Sequence, residues 1–392
     1  MNEWEQDEQV KLVVDCISKP LPSKLILLKF FITSRPDLAI RSNFRAVAGK
    51  CRQLVLHDIP ATTIEEDIRT FLYFELEELK CKYNATVSPH RQLPPDWPGL
   101  PILEELTKMA SPLFIFASTV RRFISDRVWG SPDDRLKIVL GYNTRSQESK
   151  LDGLYLPVLN QLLNRPESMG YLPLSTSEQN KLVLDYRLLL ASIIVLETPL
   201  SVTSLAGLLD KSEGCAYSKL DFLHSVLSVP EPPAPIRILH LSFRDFLLDP
   251  EKSRRNRFWI DESQTHGHLA RNCMNVVGRL LKREICSSES QGKPFSEVQR
   301  KYIRQALPAK LQYAYCQWVY HLERGFSTTD DNKRIYEFLE LHFLHWVEVI
   351  AILKRTSKCL QIISSLRRLV RSRSSTLQGM MSDYNPSYAR VF

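Results

Sequence analysis

The sequence predicts a mainly α-helical protein that opens on a short α/β stretch and carries one further strand inside its helical part. Three observations predict this. Apolar residues recur at helical spacing in most segments from residue 61 onward. An apolar run, Leu27 to Ile32, is broken only by Lys29 and stops at Thr33-Ser34-Arg35-Pro36, as a buried strand stops at a proline. A β-branched run, "IRILHL" (236–241), comes after three helical segments.

Taken in order, residues 1–62 read as α/β, with strand candidates at Lys11–Val14, 25–32 and 51–59. Pro60-Ala61-Thr62-Thr63 then opens a helix. Thr62-x-x-Glu65 and Thr63-x-x-Glu66 both fit a capping box, and Ile64, Ile68, Phe71, Leu72, Leu76 and Leu79 form its apolar face. Five prolines between 84 and 101 mark a linker. Helical segments come next at 101–109, 112–126, 132–141 and 150–164, the third started by Ser131 as N-cap, Pro132 and two acids. Residues 175–249 hold a long helix capped by Ser175 or Ser177, a short helix at 199–210 and a third at 214–229. The turn "PEPPAP" (230–235), the strand 236–241 and a helix from Ser242 complete this unit, and the order suggests a winged helix. Residues 262–370 are helical again, with 330–355 apolar on most sides.

Composition excludes several classes. No stretch is long and apolar enough for a membrane span, and the acidic start "MNEWEQDEQV" is not a signal peptide. Eight scattered cysteines without a C-x-x-C pair read as reduced thiols of a cytoplasmic protein, not as a zinc site. The net charge of +8 is concentrated in 354–373, which holds seven Lys/Arg and no acid. The rest is near neutral, which argues against a nucleic-acid surface, and the third helix of 175–249 carries one Lys and no Arg.

The phosphate loop G-x-x-x-x-G-K-[ST] is absent. "VAGKC" (47–51) has the Gly-Lys pair but neither the first glycine nor the hydroxyl residue, so it reads as chance. "LVVDC" (12–16) looks like a strand with a magnesium-holding Asp15 but lacks a second acid. His240, Ser242 and Asp245 supply the residue types of a hydrolytic triad. On a strand-to-helix turn such close neighbours are expected to diverge. His240 alone, between Leu239 and Leu241 in an alternating strand, reads as a half-buried histidine or as a polar contact across a domain interface.

Together, "KFFITSRPD", "LHDI…IEEDIRTFLYFEL", "LFIFASTVRRFI", "LDGLYLPVLNQLL", "LDFLHSVLSVPEPPAPIRILHLSFRDFLLDP", "YCQWVYHLE" and "FLELHFLHWVEVIAILKR" closely resemble fungal NACHT-domain proteins. These are NOD-like-receptor relatives among the signal-transducing ATPases with numerous domains. The match runs in order over roughly 20–365. It implies a remnant of an α/β P-loop NTPase sheet at 1–83, a Pro-rich linker at 84–100 and a helical domain at 101–170. A winged-helix domain at 175–260, a second helical domain at 262–370 and a disordered tail at 371–392 would come after them. It implies that Arg35 is the sensor-1 arginine for the γ-phosphate, whose planar fork suits phosphate oxygens. His240 matches the winged-helix histidine that contacts the phosphate in the closed, ADP-bound state. Pro112 and Leu113 would lie near the adenine, with Pro112 at a position that is usually glycine.

The family's phosphate loop and magnesium-binding acids would lie upstream of residue 20. The expected function is that of a truncated or degenerate NOD-like receptor fragment, related to non-self recognition, heterokaryon incompatibility and programmed-cell-death signalling in innate immunity. It is expected not to be an enzyme and to hold no cofactor in this chain, ADP or ATP with Mg entering only where a phosphate loop is supplied upstream. Its partners would be proteins, NACHT proteins among them, with oligomers accessible. Two other readings are an all-helical module that binds related NACHT proteins, and a winged-helix nucleic-acid binder using the basic tail.

Overall fold

The computed structural model describes residues 12, 14, 16, 30–33, 59–126, 130–143, 150–163, 174–252, 256–281, 307–325, 329–352 and 360–369. The chain divides into two compact units, Met1–Ile64 and Glu65–Phe392. The described residues are mainly helical, with one two-stranded sheet.

In the first unit the expected strands are not found where residues are described. Leu12, Val14 and Cys16 are helical, not strand. Phe30 to Thr33 is coil, and Phe31 is 94% exposed where the sequence predicts a buried strand. An apolar run becomes a strand only where a neighbour completes its hydrogen-bond ladder, and none does so among the described residues. Of the expected α/β sheet, nothing is seen among them. Arg35, the 47–51 segment and the tail 371–392 lie outside the described residues.

Helix α1 (Ala61–Asn84) begins two residues earlier than Thr62 as N-cap would place it. The Pro60 carbonyl accepts from the amides of Thr63 and Ile64, so Thr62 and Thr63 sit inside the first turn and neither is the N-cap. Ile68, Leu72, Leu76 and Leu79 are buried on one face as their spacing requires. The proline-rich linker after α1 is packed down. Asn84 holds the Leu93 amide at 2.8 Å and its carbonyl at 3.1 Å, Leu93 and Trp97 are buried, and Trp97 Nε1 donates to Asp133. Gly99, at φ 88, makes the left-handed turn into α2 (Leu100–Ala110), which any side chain would strain.

Helices α3 (Phe114–Ser125), α4 (Pro132–Asn143) and α5 (Lys150–Asn160) stack on α2 in sequence. Ser131 caps α4 as its sequence predicts, its hydroxyl accepting from the Asp134 amide while Asp134 reaches back to the Ser131 amide. Arg135 of α4 is buried over the Phe123 ring and donates to the Phe123 carbonyl and to Gln161, which in turn holds the Phe222 carbonyl. Burial pulls this guanidinium down to about 10, against the pull of Asp126, so it stays charged at neutral pH.

Helix α6 (Thr176–Val195) starts from Ser175, with both bonds of the capping box to Glu178 present. Helices α7 (Val202–Leu208) and α8 (Glu213–Leu220) come next. The third helix ends at Leu220, well short of 229, because Leu227 and Ser228 are drawn into strand β1 (Leu227–Ser228). It pairs antiparallel with β2 (Arg237–Ile238), Leu227 opposite Ile238. The predicted six-residue strand shrinks to two. Pro230, Pro232, Pro233 and Pro235 have no N–H for a ladder, and helix α9 (Leu241–Leu248) takes over at the other end.

Helices α10 (Glu262–Leu281) and α11 (Ala309–Arg324) make the most extensive helix contact, and α6 and α7 pack on it. Helix α12 (Thr329–Ile352) buries Trp346 against Trp318, with Trp346 Nε1 donating to the Tyr315 carbonyl at 2.8 Å. It is not buried on all sides: Glu337, Glu340 and Leu341 are exposed. A last helix, α13, spans 360–369, where Arg368 pairs with Glu323.

A line of buried polar groups crosses this core. The Glu197 amide donates to the Tyr313 hydroxyl, which lies 2.7 Å from His321 Nε2, and the two histidines His321 and His266 meet at 2.7 Å through their Nδ1 atoms. The two facing Nδ1 atoms have room for only one proton between them, so at least one of the rings accepts there. Burial first, then the Arg324 and Arg244 charges for His266, and burial, then His266 and Arg324, for His321, hold both well below the ordinary value of 6.5. As pH falls below 6.5 the unfolded chain takes up protons that the folded core refuses, so stability should fall with falling pH. Urea midpoints followed from about pH 7 to pH 5 should show this slope, and His266→Gln should flatten it.

At the end of α11 a Cβ on Gly325 would lie 2.5 Å from the Gly267 nitrogen and 2.8 Å from its Cα. Backbone cannot yield as a side-chain tip can, so Gly325→Ala should cost about 1–3 kcal/mol in chemical denaturation, whereas Gly141→Ala, which meets nothing, should not destabilise.

Candidate functional site

The candidate site is built where the β1–β2 ribbon passes into α9. Helix α9 turns Ser242, Phe243, Phe246 and Leu247 inward. Phe243 and Phe246 pack on Tyr155 of α5 with ring centroids 5.0 Å and 5.3 Å apart. The Ile260 amide bonds the Leu247 carbonyl and fixes the exit of the helix. Arg244, on the outer side, pairs with Glu262.

His240 is not a strand residue and not half-buried. It is exposed and stands as the N-cap of α9, in extended backbone at φ −151 and ψ 139. Its Nδ1 accepts from the Ser242 amide at 3.1 Å, the role that Ser, Thr, Asp or Asn usually fills. The same Nδ1 lies 2.6 Å from Ser242 Oγ, and that hydroxyl lies 2.7 Å from the Tyr155 hydroxyl. His240 and Ser242 therefore meet, where their spacing in sequence suggests divergence, because the N-cap folds the ring back over the first turn. Ser242 is only 9% exposed and its hydroxyl is enclosed between Tyr155 and His240, which denies a substrate access to it as a nucleophile. Burial, and Asp245 to a lesser degree, push the Tyr155 phenol up against the opposing Ser242 bond, so it keeps its proton.

Pro112 and Leu113 lie on a different element, the turn between α2 and α3, and both are exposed. The Leu113 carbonyl accepts from the Phe116 amide to begin α3, and Phe114 sets its ring edge-on to Phe71 at 6.0 Å. Tyr155 is the neighbour of this cap that sequence reasoning misses. The His-x-Ser pattern at 240–242 hints at the cap, but nothing local points to a tyrosine 87 residues away from Ser242.

Among the described residues no group of His, Cys, Asp or Glu could hold a metal ion, and no helix is long and apolar enough to cross a membrane. The described cysteines 16, 81, 215, 273 and 316 are all free thiols.

Because Tyr155, Phe243 and Phe246 form one aromatic contact, Phe243→Ala should cost about 3–5 kcal/mol of stability, measured by urea unfolding, while the exposed Leu241→Ala should stay within about 0.5 kcal/mol. No family model matches this chain, and neither a curated protein nor a solved structure matches it.

Proposed function

We propose that this chain supplies the helical and winged-helix part of a NACHT-type signalling switch and hydrolyses no ATP of its own. One observation carries the reading. Three helices, α6 to α8, run into an antiparallel ribbon, and His240 stands exposed at the ribbon's exit, capping the next helix. That is where the resemblance expects a phosphate-contacting histidine on a winged-helix module. Helices α2 to α5 would be the helical domain before it and α10 to α12 the one after it. The absence of G-x-x-x-x-G-K-[ST] from the sequence supports the lack of hydrolysis, because the backbone cradle for the phosphates needs those glycines. In such a switch, ligand contacts that differ between closed and open states shift the population between them.

A second reading is an all-helical module that docks on related NACHT proteins. The exposed Tyr73 and Phe74 of α1 favour it, as large apolar side chains left in water. A monodisperse monomer in light scattering would count against it.

The test of the first reading has two parts. The purified chain should turn over ATP no faster than a buffer blank, and turnover that Arg35→Ala abolishes would overturn the proposal. Mixed with a NACHT nucleotide-binding segment that carries the phosphate loop, the chain should slow ADP release. His240→Ala should lose about tenfold of that effect, the worth of one hydrogen bond to a charged group.

A further inference from the structure

We infer that the trough between α10 and α12 is a binding site for a small phosphate monoester with an apolar body, its phosphate held by Arg334 and Arg271 and its body resting on Phe338 and Met274. The trough has a volume of about 600 Å³, within the usual range for small-molecule sites. It is built on helices other than the one that His240 caps, and the inference is independent of the role proposed for that residue.

Two helix faces make the trough. Arg271, Met274, Gly278 and Arg279 line it from α10, and Arg334, Glu337, Phe338, Leu341 and His342 from α12, each set following the spacing of one helical stripe. The two helices run parallel. The start of α10 meets the end of α11, where Gly267 lies against Gly325, so these two are antiparallel. Helix α12 is antiparallel to α11 in turn: Phe338 meets Trp318, while Trp346, further on, meets Tyr315, further back. The register of α10 on α12 is set at Gly278, where a Cβ would lie 3.6 Å from His342 Nε2. About two turns earlier on both helices, the same register brings Arg271 and Arg334 to one end of the trough.

Two guanidinium groups at one end of a cleft repel each other, and an anion between them relieves this. Among the described residues Glu337 is the one acid that lines the trough, and Lys333 already stands 4.0 Å from it. At the other end the charge of Arg279 is met by Asp210 at 3.0 Å and 3.2 Å. The excess positive charge therefore lies at the Arg271–Arg334 end. Each guanidinium carries five N–H donors in a planar fork, so it can bond a protein neighbour and still offer N–H to a ligand. A phosphate monoester brings about two negative charges and three terminal oxygens, which suits two such forks. The floor fits the rest of the molecule. Met274 and Phe338 are 6% and 7% exposed, and Phe338 is fixed by ring contacts to Trp318 and His342. Leu341 beside them is 66% exposed, an apolar side chain that an apolar ligand body would cover.

The experiment is isothermal titration of the full chain with phenyl phosphate, set beside inorganic phosphate, which lacks the apolar body, and phenol, which lacks the anion. Phenyl phosphate should bind about tenfold more tightly than either. Arg334→Gln and Arg271→Gln should each weaken it by about tenfold, the worth of a hydrogen bond to a charged group. Arg69→Gln, which removes an exposed charge on α1, should leave it unchanged. Arg334 is exposed, so its variant should fold, and it decides the matter even if Arg271→Gln does not. Three results would each overturn the inference: no binding of phenyl phosphate, equal binding of inorganic phosphate, or a loss in Arg69→Gln as large as that in Arg334→Gln, which would mark attraction by net charge alone. Wild-type affinity in Arg334→Gln would overturn it as well.

Discussion

Helices α10 and α11 can approach closely only because Gly325 presents no side chain where the Gly267 backbone passes. The gap left for a Cβ, 2.5 Å to a nitrogen, is less than any real contact allows. That approach brings the start of α10 against the end of α11, so the two run antiparallel and His266 meets His321 in the interior. Much of the second unit leans on this pair: α6 and α7 lie against it, and α12 closes over Trp318. The ribbon is carried along, since β2 packs on α6 and the Ile236 amide bonds the Leu200 carbonyl just ahead of α7.

Close packing creates a second constraint, because polar groups caught inside must find partners. The fold meets it twice in the same way, with a chain of hydrogen bonds that a backbone amide joins at one end. In the core the Glu197 amide starts the chain Tyr313, His321, His266. At the ribbon exit the Ser242 amide fixes the sense of Tyr155, Ser242, His240. An imidazole suits both places, since it accepts on one nitrogen and donates on the other. The difference is exposure. The core pair is sealed, so a proton there can only destabilise the fold, whereas His240 is exposed.

The sequence makes legible what is decided within one turn of helix. Ser131 with Asp134, and Ser175 with Glu178, start their helices as their spacing predicts, because donor and acceptor lie three residues apart. The order of three helices and a β-branched run is also legible. Its proportions are not: the strand is cut to two residues by prolines on one side and by the His240 cap on the other, and α8 stops early because Leu227 has a distant partner in Ile238. The run at Phe30–Ile32 misleads for the same kind of reason. Apolarity states that a segment gains by burial and does not supply the neighbour that would bury it. His240 stands out in the sequence, but the tyrosine whose hydroxyl bonds Ser242 beside it sits too far along the chain for any pattern to connect them.

The placement of α5 explains how such a remote residue can be held to hydrogen-bond precision. Arg135 is buried, still charged, and committed to the Phe123 carbonyl and to Gln161, which reaches on to the Phe222 carbonyl. A charge in that position is costly unless its neighbours stay in register, so it fixes α3, α4 and the turn after α5 relative to the segment that leads into the ribbon. The Tyr155 ring then packs on both Phe243 and Phe246, and its hydroxyl meets Ser242.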